Sequence, residues 1–268
     1  MNAQLQTANA LSTLAIPYVG QVKLSQFQDS INKVKSYGGD PSSYQKEYDT
    51  DQGMLNNNEF VKFSSQIDKD IAGIQTPLLQ LQANHDFNML MNATKAWGNA
   101  HQYHDDFNGQ SYVQAYEYWN GTLYDVQQEL SYASTADDFQ NIIDTVKQQN
   151  SLFQAEVADQ ADSTPQDHAH QSDLSLMNTL GVSQAKVLVT SLINGSLRVY
   201  QGGKLIRYIP VVTGQPDKPT PPGFTQIFNR QSPAVFKPFD TNPNSPFYYQ
   251  PTKINYAMEY HTGEYYYH

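Results

Sequence analysis

The stretch KVLVTSLINGSLRVY, residues 186–200, decides the fold of the C-terminal part of this chain. Apolar and polar residues alternate on both sides of Asn194-Gly195, a pair that favours a two-residue hairpin turn. We therefore predict a strand at 186–192 and a return strand at 197–200. Gly202-Gly203 predicts the next turn, and residues 205–212 have the pattern of a third strand.

The sequence after the third strand indicates further strands around an irregular segment. Residues 214–223 contain four prolines, which exclude regular structure there. Alternating apolar residues predict additional strands at 224–228, 254–260 and 264–267. The pattern is typical of a β-meander domain.

Residues 1 to about 161 instead show helical periodicity. The clearest stripe has apolar residues at i, i+3, i+4 and i+7, and consists of Phe139, Ile142, Ile143 and Val146. Thr135 is the predicted N-cap of this helix, and Asp137 and Asp138 suit the positive end of its dipole.

Three more apolar stripes predict helices in the same region. One covers residues 27–34 and ends at Gly38-Gly39, and another covers residues 123–130 after Asn120-Gly121. The third covers residues 67–81, where Pro77 predicts a kink or a new helix starting near Thr76. Together they favour an antiparallel helical bundle.

A change in charge supports two domains. Residues 1–181 contain 22 acidic and 8 basic side chains, a net charge of −14, whereas residues 182–268 contain 4 acidic and 8 basic ones, a net charge of +4. Polar residues 162–173 are typical of a linker, and a short helix is expected at 174–180. We predict an α+β multidomain fold: a helical bundle at 1–165, a linker and short helix at 166–182, and an incomplete, mostly β domain at 183–268.

Composition excludes several classes of function. The acidic helical part has no basic stripe that could follow a nucleic-acid backbone, so no nucleic-acid partner is expected. No apolar run approaches the 18–20 residues or so of a membrane span, and the first 15 residues lack the pattern of a signal peptide. The sequence contains no cysteine, so it offers no thiol for a metal site or for catalysis.

Four short sequence motifs in the C-terminal part, called words below, resemble those of the YkuD-type L,D-transpeptidase catalytic domain family. The words are KVLVTSL at 186–192, LRVY at 197–200, PVVTG at 210–214 and KPTPPGF at 218–224. The family has a strand, an "L-x-V-Y" strand, a "V-x-T-G" strand end and a "T-P-x-G-x-F" turn in the same order. Each word alone occurs in many β proteins, but their order is specific. The resemblance covers roughly residues 183–268 and leaves the helical part unassigned.

The resemblance implies a catalytic role for His268. In this family a His at a strand end precedes a Ser/Thr-x-Gly-Cys word that carries the nucleophile. His268 follows EYYY at 264–267 and matches that His, and it is also the last residue given. We therefore expect the sequence to be truncated before the cysteine, and this chain to be inactive as it stands. Without the resemblance, His268 would be an ordinary exposed terminal histidine.

The resemblance also implies the reaction and a substrate-contacting strand. A thiolate would attack a peptidoglycan tetrapeptide stem, D-Ala would leave, and an amine of another stem would resolve the acyl-enzyme into a 3-3 cross-link. Tyr256 and Met258 lie on the strand that leads to the cleft in the family, so they are candidate substrate-binding residues. Packing in the core is an equally good interpretation of both.

No cofactor and no metal are expected. Closely spaced acidic and histidine residues occur in the predicted linker, at Asp167, His168, His170 and Asp173. Such residues more often lie in a solvent-exposed polar loop than bind a metal. No cysteine and no helical motif with His and Glu ligands supports a metal site. His101 and His104 could share one face of a helix, but a surface pair is the commoner case.

The sequence leaves two main functions open, and a third, a cytoplasmic helical adaptor, is supported only by the missing signal-peptide pattern. The first is a peptidoglycan L,D-transpeptidase of the bacterial cell envelope, extracytoplasmic, with peptidoglycan stem peptides as partners and a possible membrane tether outside this sequence. The second is a non-catalytic protein that binds the cell wall or has a structural role, with a helical interaction domain. The absence of cysteine favours the second function, and the four ordered words favour the first.

Overall fold

The structure is a computed structural model of the 268-residue chain. It describes residues 2–105, 109–113, 118–119, 121–214, 220–238, 240–245, 248–262 and 265–268. Asn120, Lys218 and Glu264, which figure in the sequence predictions, lie outside the described residues.

Six α-helices occupy the N-terminal part of the described chain. Their bounds are α1 Asn2–Ser36, α2 Ser42–Asn56, α3 Phe60–Ala100, α4 Thr122–Tyr132, α5 Ala136–Ala161 and α6 Gln171–Thr179. The expected helix at 174–180 therefore begins three residues earlier than its apolar pattern indicates. None of the helices among the described residues is both long enough and apolar enough to cross a membrane.

Two apolar cores lie along the long helix α3. The first core joins its N-terminal half to α1 and α2, and includes Phe27, Ile31, Leu55, Phe63 and Ile67. The second core joins its C-terminal half to α4 and α5, and includes Phe87, Leu90, Leu123, Phe139 and Ile142. The predicted helical stripes therefore pack against one another, and the bundle-like arrangement confirms the prediction for this region.

The predicted start of α5 is confirmed in detail. The Thr135 hydroxyl accepts a hydrogen bond from the Asp138 N–H at 3.2 Å, and the Asp138 carboxylate accepts one from the Thr135 N–H at 2.9 Å. This reciprocal pair is a capping box, with aspartate in the position more often held by glutamate. The two bonds satisfy backbone donors that the first turn of a helix leaves unpaired.

The helical part differs from the sequence analysis at two places. Helix α3 runs through Pro77 without interruption, so no new helix begins near Thr76. Buried Ile74 and Leu78 on either side pack into the same core, which offsets the hydrogen bond that the proline removes. In addition, an unpredicted hairpin follows α3, with β1 at Gln102–Asp105 and β2 at Gln110–Val113.

The C-terminal part consists of small antiparallel sheets. The bounds of its strands are β3 Lys186–Ser191, β4 Ser196–Gln201, β5 Lys204–Pro210, β6 Asn229–Gln231, β7 Ala234–Phe236, β8 Thr252–Ile254, β9 Ala257–His261 and β10 Tyr265–Tyr267. Among the described residues the sheet orders are β3-β4-β5, β10-β9-β6 and β7-β8. These sheets and the helices confirm the α+β prediction.

The hairpins near residue 200 are confirmed, but the first turn is longer than predicted. Ser191 pairs with Ser196, so the loop between β3 and β4 has four residues instead of two. Gly195 ends this loop with a φ of +57°, a conformation that strongly favours glycine. The Gly202-Gly203 turn has two residues as expected, since Gln201 pairs with Lys204.

Two later strand predictions are corrected. Residues 224–228 do not form a strand, and β6 begins only at Asn229, where pairing with β9 starts. The predicted strand at 254–260 is divided into β8 and β9, because the chain changes partners there. Strand β8 pairs with β7, whereas β9 pairs with β6 and β10.

Candidate functional site

His268 follows β10 directly and is exposed. Its imidazole meets the ring of Phe236 edge to face, with the ring centroids 5.0 Å apart and an interplanar angle of 82°. Tyr266 contacts the same phenyl ring at 5.2 Å. Phe236 therefore packs against the side chains of Tyr266 and His268. This contact restricts the orientation of the His268 imidazole, which stays exposed to solvent.

Tyr267 ties the strand before His268 to a different sheet. Its hydroxyl lies 2.9 Å from the hydroxyl of Thr190 on β3. Burial raises the pKa of Tyr267, and the hydrogen bond to Thr190 partly offsets this rise. The position of β10 is therefore set by β9 through the backbone and by β3 through this side-chain contact.

Met258 and His268 occupy opposite faces of the sheet. Met258 pairs with Tyr267, and the Tyr267 ring lies 4.7 Å from that of Tyr260, which is two residues after Met258. Successive side chains of a strand point to opposite faces, so His268 points away from Met258. The structure brings His268 together with Phe236, and it does not bring it to Met258.

Tyr256 lies between β8 and β9, and 74% of its surface is exposed. Its neighbour Ala257 is buried at 1%, so the strand turns small Ala257 inward and large Tyr256 outward. The substrate-contact roles of Tyr256 and Met258 stay predictions, as does the catalytic role of His268.

Thr220 connects two of the sequence words that carry the family resemblance. Its hydroxyl accepts a hydrogen bond from the Gly214 N–H at 2.8 Å. Burial, together with the neighbouring Tyr267 and Tyr265, raises the pKa of Tyr260 to about 12, while Thr220 acts on Tyr260 in the opposite direction by lowering its pKa. The "V-x-T-G" end and the start of the "T-P-x-G-x-F" turn thus meet beside the aromatic side chains of β9 and β10.

A buried polar network, which the sequence analysis missed, joins the helices to β4. Arg198 is fully buried, and its Nε donates to Asp173 Oδ2 at 2.5 Å while its Nη2 donates to Asp159 Oδ1 at 2.6 Å. Its Nη1 donates to Gln166 Oε1 at 2.6 Å, and the Tyr200 hydroxyl donates to Asp173 Oδ2 at 2.7 Å. Burial opposes the charge of Arg198, but the hydrogen bond and charge of Asp173 and the charge of Asp159 outweigh it, so its pKa is raised.

His170 completes this network. Its Nδ1 lies 2.7 Å from Asp159 Oδ1, and its backbone N–H donates to the Tyr200 hydroxyl at 3.3 Å. Burial raises the pKa of Tyr200, and its hydrogen bond to Asp173 raises it further. The predicted linker thus supplies partners for a buried arginine, a role that the residue spacing alone does not indicate.

The linker residues considered as metal ligands, Asp167, His168, His170 and Asp173, do not form one cluster. Asp167 and His168 pair with each other at the surface at 2.9 Å, while His170 lies against Asp159 and Asp173 pairs with Arg198. His101 lies just after the end of α3 and His104 lies in β1, so they do not share a helix face. Among the described residues, no group of three or more suitable side chains could hold a metal ion.

Further contacts hold the helices against the β strands. The Thr122 hydroxyl at the start of α4 donates to the Pro222 carbonyl at 3.2 Å. The Ile193 N–H donates to Glu156 Oε1 of α5 at 3.0 Å, and Asn194 donates from its side chain to Asp159 Oδ2 at 2.7 Å. Helices α4 and α5 therefore contact loops of the C-terminal part, one between β3 and β4 and the other after β5.

The comparison with protein families gives one match, which covers part of the chain. Residues 185–268 match the family model described as the L,D-transpeptidase catalytic domain, YkuD. No curated protein and no solved structure matches this chain. The resemblance to the YkuD-type L,D-transpeptidase catalytic domain is therefore confirmed for residues 185–268, and it points to an L,D-transpeptidase-like function at the level of the family.

Proposed function

We propose that this protein is a peptidoglycan L,D-transpeptidase in which His268 is the general base. The observation that carries the proposal is the family match over 185–268, a segment in which His268 occupies the strand end expected of the family's histidine. The exposed imidazole, restrained by Phe236, suits a group that must receive a proton from a nucleophile and return it to a leaving amine.

The proposed chemistry requires a cysteine from outside these 268 residues, since none of them is a cysteine. A thiol with an ordinary pKa of about 8.5 is mostly protonated at neutral pH, and an adjacent imidazole generates the thiolate. The thiolate attacks the carbonyl of the third stem residue, the bond to the terminal D-Ala breaks, and the imidazolium protonates the departing amine. An amine of a second stem then attacks the thioester and gives a proton to the imidazole, so that the carbon–sulfur bond breaks, the thiolate leaves and the 3-3 cross-link forms.

The charge of the C-terminal part supports a substrate with free carboxylates. Residues 182–268 have a net charge of +4, whereas the whole chain has a net charge of −10. Peptidoglycan stems present carboxylates, so the proposal places the protein in the extracytoplasmic cell envelope.

The test begins with the coding sequence beyond the His268 codon. If a Ser/Thr-x-Gly-Cys word follows, the intact protein incubated with a stem tetrapeptide should gain the mass of the acyl group and release D-Ala. His268→Ala should abolish this adduct, whereas His261→Ala, a change of another histidine in the same segment, should retain it. Adduct formation that survives His268→Ala would refute the role of His268.

The alternative is a non-catalytic wall-binding or structural protein, which the absence of cysteine from the 268 residues favours. A stop codon directly after His268 would support it and would exclude the transferase. In that case this chain should still sediment with purified, insoluble peptidoglycan, with no D-Ala released from a stem tetrapeptide.

A further inference from the structure

Asp51 of α2 is a buried acid without a hydrogen-bond donor. Its side chain is fully buried, and neither carboxylate oxygen accepts a hydrogen bond from the described protein groups. Leu55, one turn later, packs into the core shared by α1, α2 and α3. An ionised carboxylate in such a place loses its hydration and gains nothing in return, so its charged form is strongly disfavoured.

The charged groups around Asp51 make ionisation still less favourable. Asp70 faces it from α3, and Glu47 lies one turn earlier on α2, so both charges that act on it are negative. On α1, the Lys23 ammonium is paired with Asp68 of α3 at 2.6 Å. Asp70 is itself held in place, because its Oδ1 accepts a hydrogen bond from the Gln66 side chain at 2.8 Å.

A proton shared by Asp51 and Asp70 would remove the repulsion between their carboxylates. Among the described residues no group of three or more side chains is suited to a metal ion, and a proton held between two carboxylates removes their mutual repulsion. We propose that Asp51 and Asp70 share a proton that fastens α2 to α1 and α3, and that loss of this proton as the pH rises loosens α2. This inference concerns the helical part and does not depend on the proposed transferase activity.

Helix α2 is well suited to respond to a single proton. Asp51 and Leu55 are the buried side chains of this 15-residue helix, so the acid is half of its fully buried contact with the core. Its N-cap residue, Pro41, has no side chain that can accept a hydrogen bond, and the first helical N–H, that of Ser42, donates instead to Asp40 Oδ1 at 3.0 Å. Ionisation of Asp51 therefore acts on α2, which has the fewest buried side chains of the three helices that share this core.

The direction of the pH effect follows from the acid's environment. Burial, with the charge of Asp70 next, raises the pKa of Asp51 from an ordinary 3.8 to about 7. Burial and Asp70 also raise the pKa of Glu47. The folded state then binds more protons than the unfolded state between these two pKa values, so stability falls as pH rises from about 4 to about 7 and levels off above that.

The experiment compares Asp51→Asn with Asp49→Asn in the full 268-residue chain. Both replace an acid by its amide on α2, but Asp49 is exposed and accepts a hydrogen bond from Gln45. Urea unfolding is followed by circular dichroism at 222 nm, at about pH 5 and about pH 8. Relative to wild type, Asp51→Asn should raise the ratio of folded to unfolded protein on the order of tenfold more at pH 8 than at pH 5. Asp49→Asn should change it less than about twofold.

An equal effect of Asp51→Asn at both pH values would overturn the proposal, and so would a loss of stability at pH 8. A stabilisation of wild type by millimolar calcium or magnesium that disappears in Asp51→Asn would also overturn it, in favour of a cation site.

Hydrogen exchange of the wild-type chain provides a second measurement if a variant does not fold. After correction for intrinsic exchange rates, the amides of α2 should open more often at about pH 8 than at about pH 5, and those of α3 between 79 and 95 should not. Equal pH dependence in both segments would refute the loosening of α2.

Discussion

The guanidinium of Arg198 on β4 donates from Nη2 to Oδ1 of Asp159 near the end of α5, at 2.6 Å, and both side chains are buried. Burying a charge is costly unless a partner and further hydrogen bonds compensate for it. Asp173 and Gln166 supply those further bonds, from α6 and from the segment before it. The helices and the first sheet are therefore joined through a polar core in which each member depends on the others.

Arg198→Met should destabilise the chain by about 3–5 kcal/mol, because Asp159 and Asp173 would be left buried without their cation. The free energy of unfolding from urea titration is the measurement. Arg207→Met is the matched control, since Arg207 lies exposed on the adjacent strand β5. Its loss should stay within about 0.5 kcal/mol. Equal effects of the two substitutions would show that the buried network does not stabilise the fold.

The network also shows where reasoning from sequence stops. In the sequence, Arg198 is part of the LRVY motif, and Asp173 is one of the linker residues considered as metal ligands. The partners of Arg198 lie 25 and 39 positions away, at Asp173 and Asp159. Such pairing depends on how α5 and α6 pack against β4, which local spacing does not encode. The available signal was an arginine between two apolar residues, Leu197 and Val199, of a predicted strand.

Local features were predicted well because their causes are local. The capping box at Thr135 needs only residues 135–138, and the Gly202-Gly203 turn needs only its two glycines. The strand expected at 224–228 failed because pairing with β9 decides where β6 begins. The opposite orientations of Met258 and His268 could likewise not be predicted, since they depend on the register between β9 and β10.

Thr190→Val and Tyr267→Phe should each cost about 1 kcal/mol, because each removes one side of the hydroxyl pair between β3 and β10. The double variant should cost less than the sum of the two, since the second change finds the bond already lost. Urea unfolding of the four proteins measures the coupling. Tyr265→Phe on the same strand is the control. If the losses of stability in the two single variants add up to that of the double variant, the 2.9 Å contact between Thr190 and Tyr267 does not stabilise the fold.

The same pair should influence His268 through the position of β10. In the NMR spectrum of Tyr267→Phe, the imidazole signals of His268 should shift, because the strand end is held less firmly against Phe236. The signals of His85 in the helical part serve as the internal reference. An unchanged His268 spectrum would separate the contact between Thr190 and Tyr267 from the candidate site.

Thr135→Ala should lower the stability of the helical part by about 1 kcal/mol, because the Asp138 N–H would lose its capping acceptor. Thr145→Ala makes the same chemical change inside α5, where the hydroxyl donates to the Asn141 carbonyl and caps nothing. It should cause no loss, since alanine is the better helix former there. Thermal unfolding followed at 222 nm distinguishes them, and equal losses would mean that the cap is not stabilising.

Tyr256→Ala should weaken binding of the chain to insoluble peptidoglycan at least about fivefold, or about 1 kcal/mol. The reason is its exposed ring, which offers a large rigid contact surface in the segment that matches the L,D-transpeptidase family. Tyr132→Ala is the matched control, because Tyr132 is 82% exposed at the end of α4, outside the family match. Co-sedimentation with purified peptidoglycan over a range of protein concentrations gives both affinities, and circular dichroism checks that each variant is folded. Equal binding by wild type and Tyr256→Ala would remove Tyr256 from the proposed substrate surface. A loss seen equally in Tyr132→Ala would instead indicate that exposed tyrosines bind the wall without specificity.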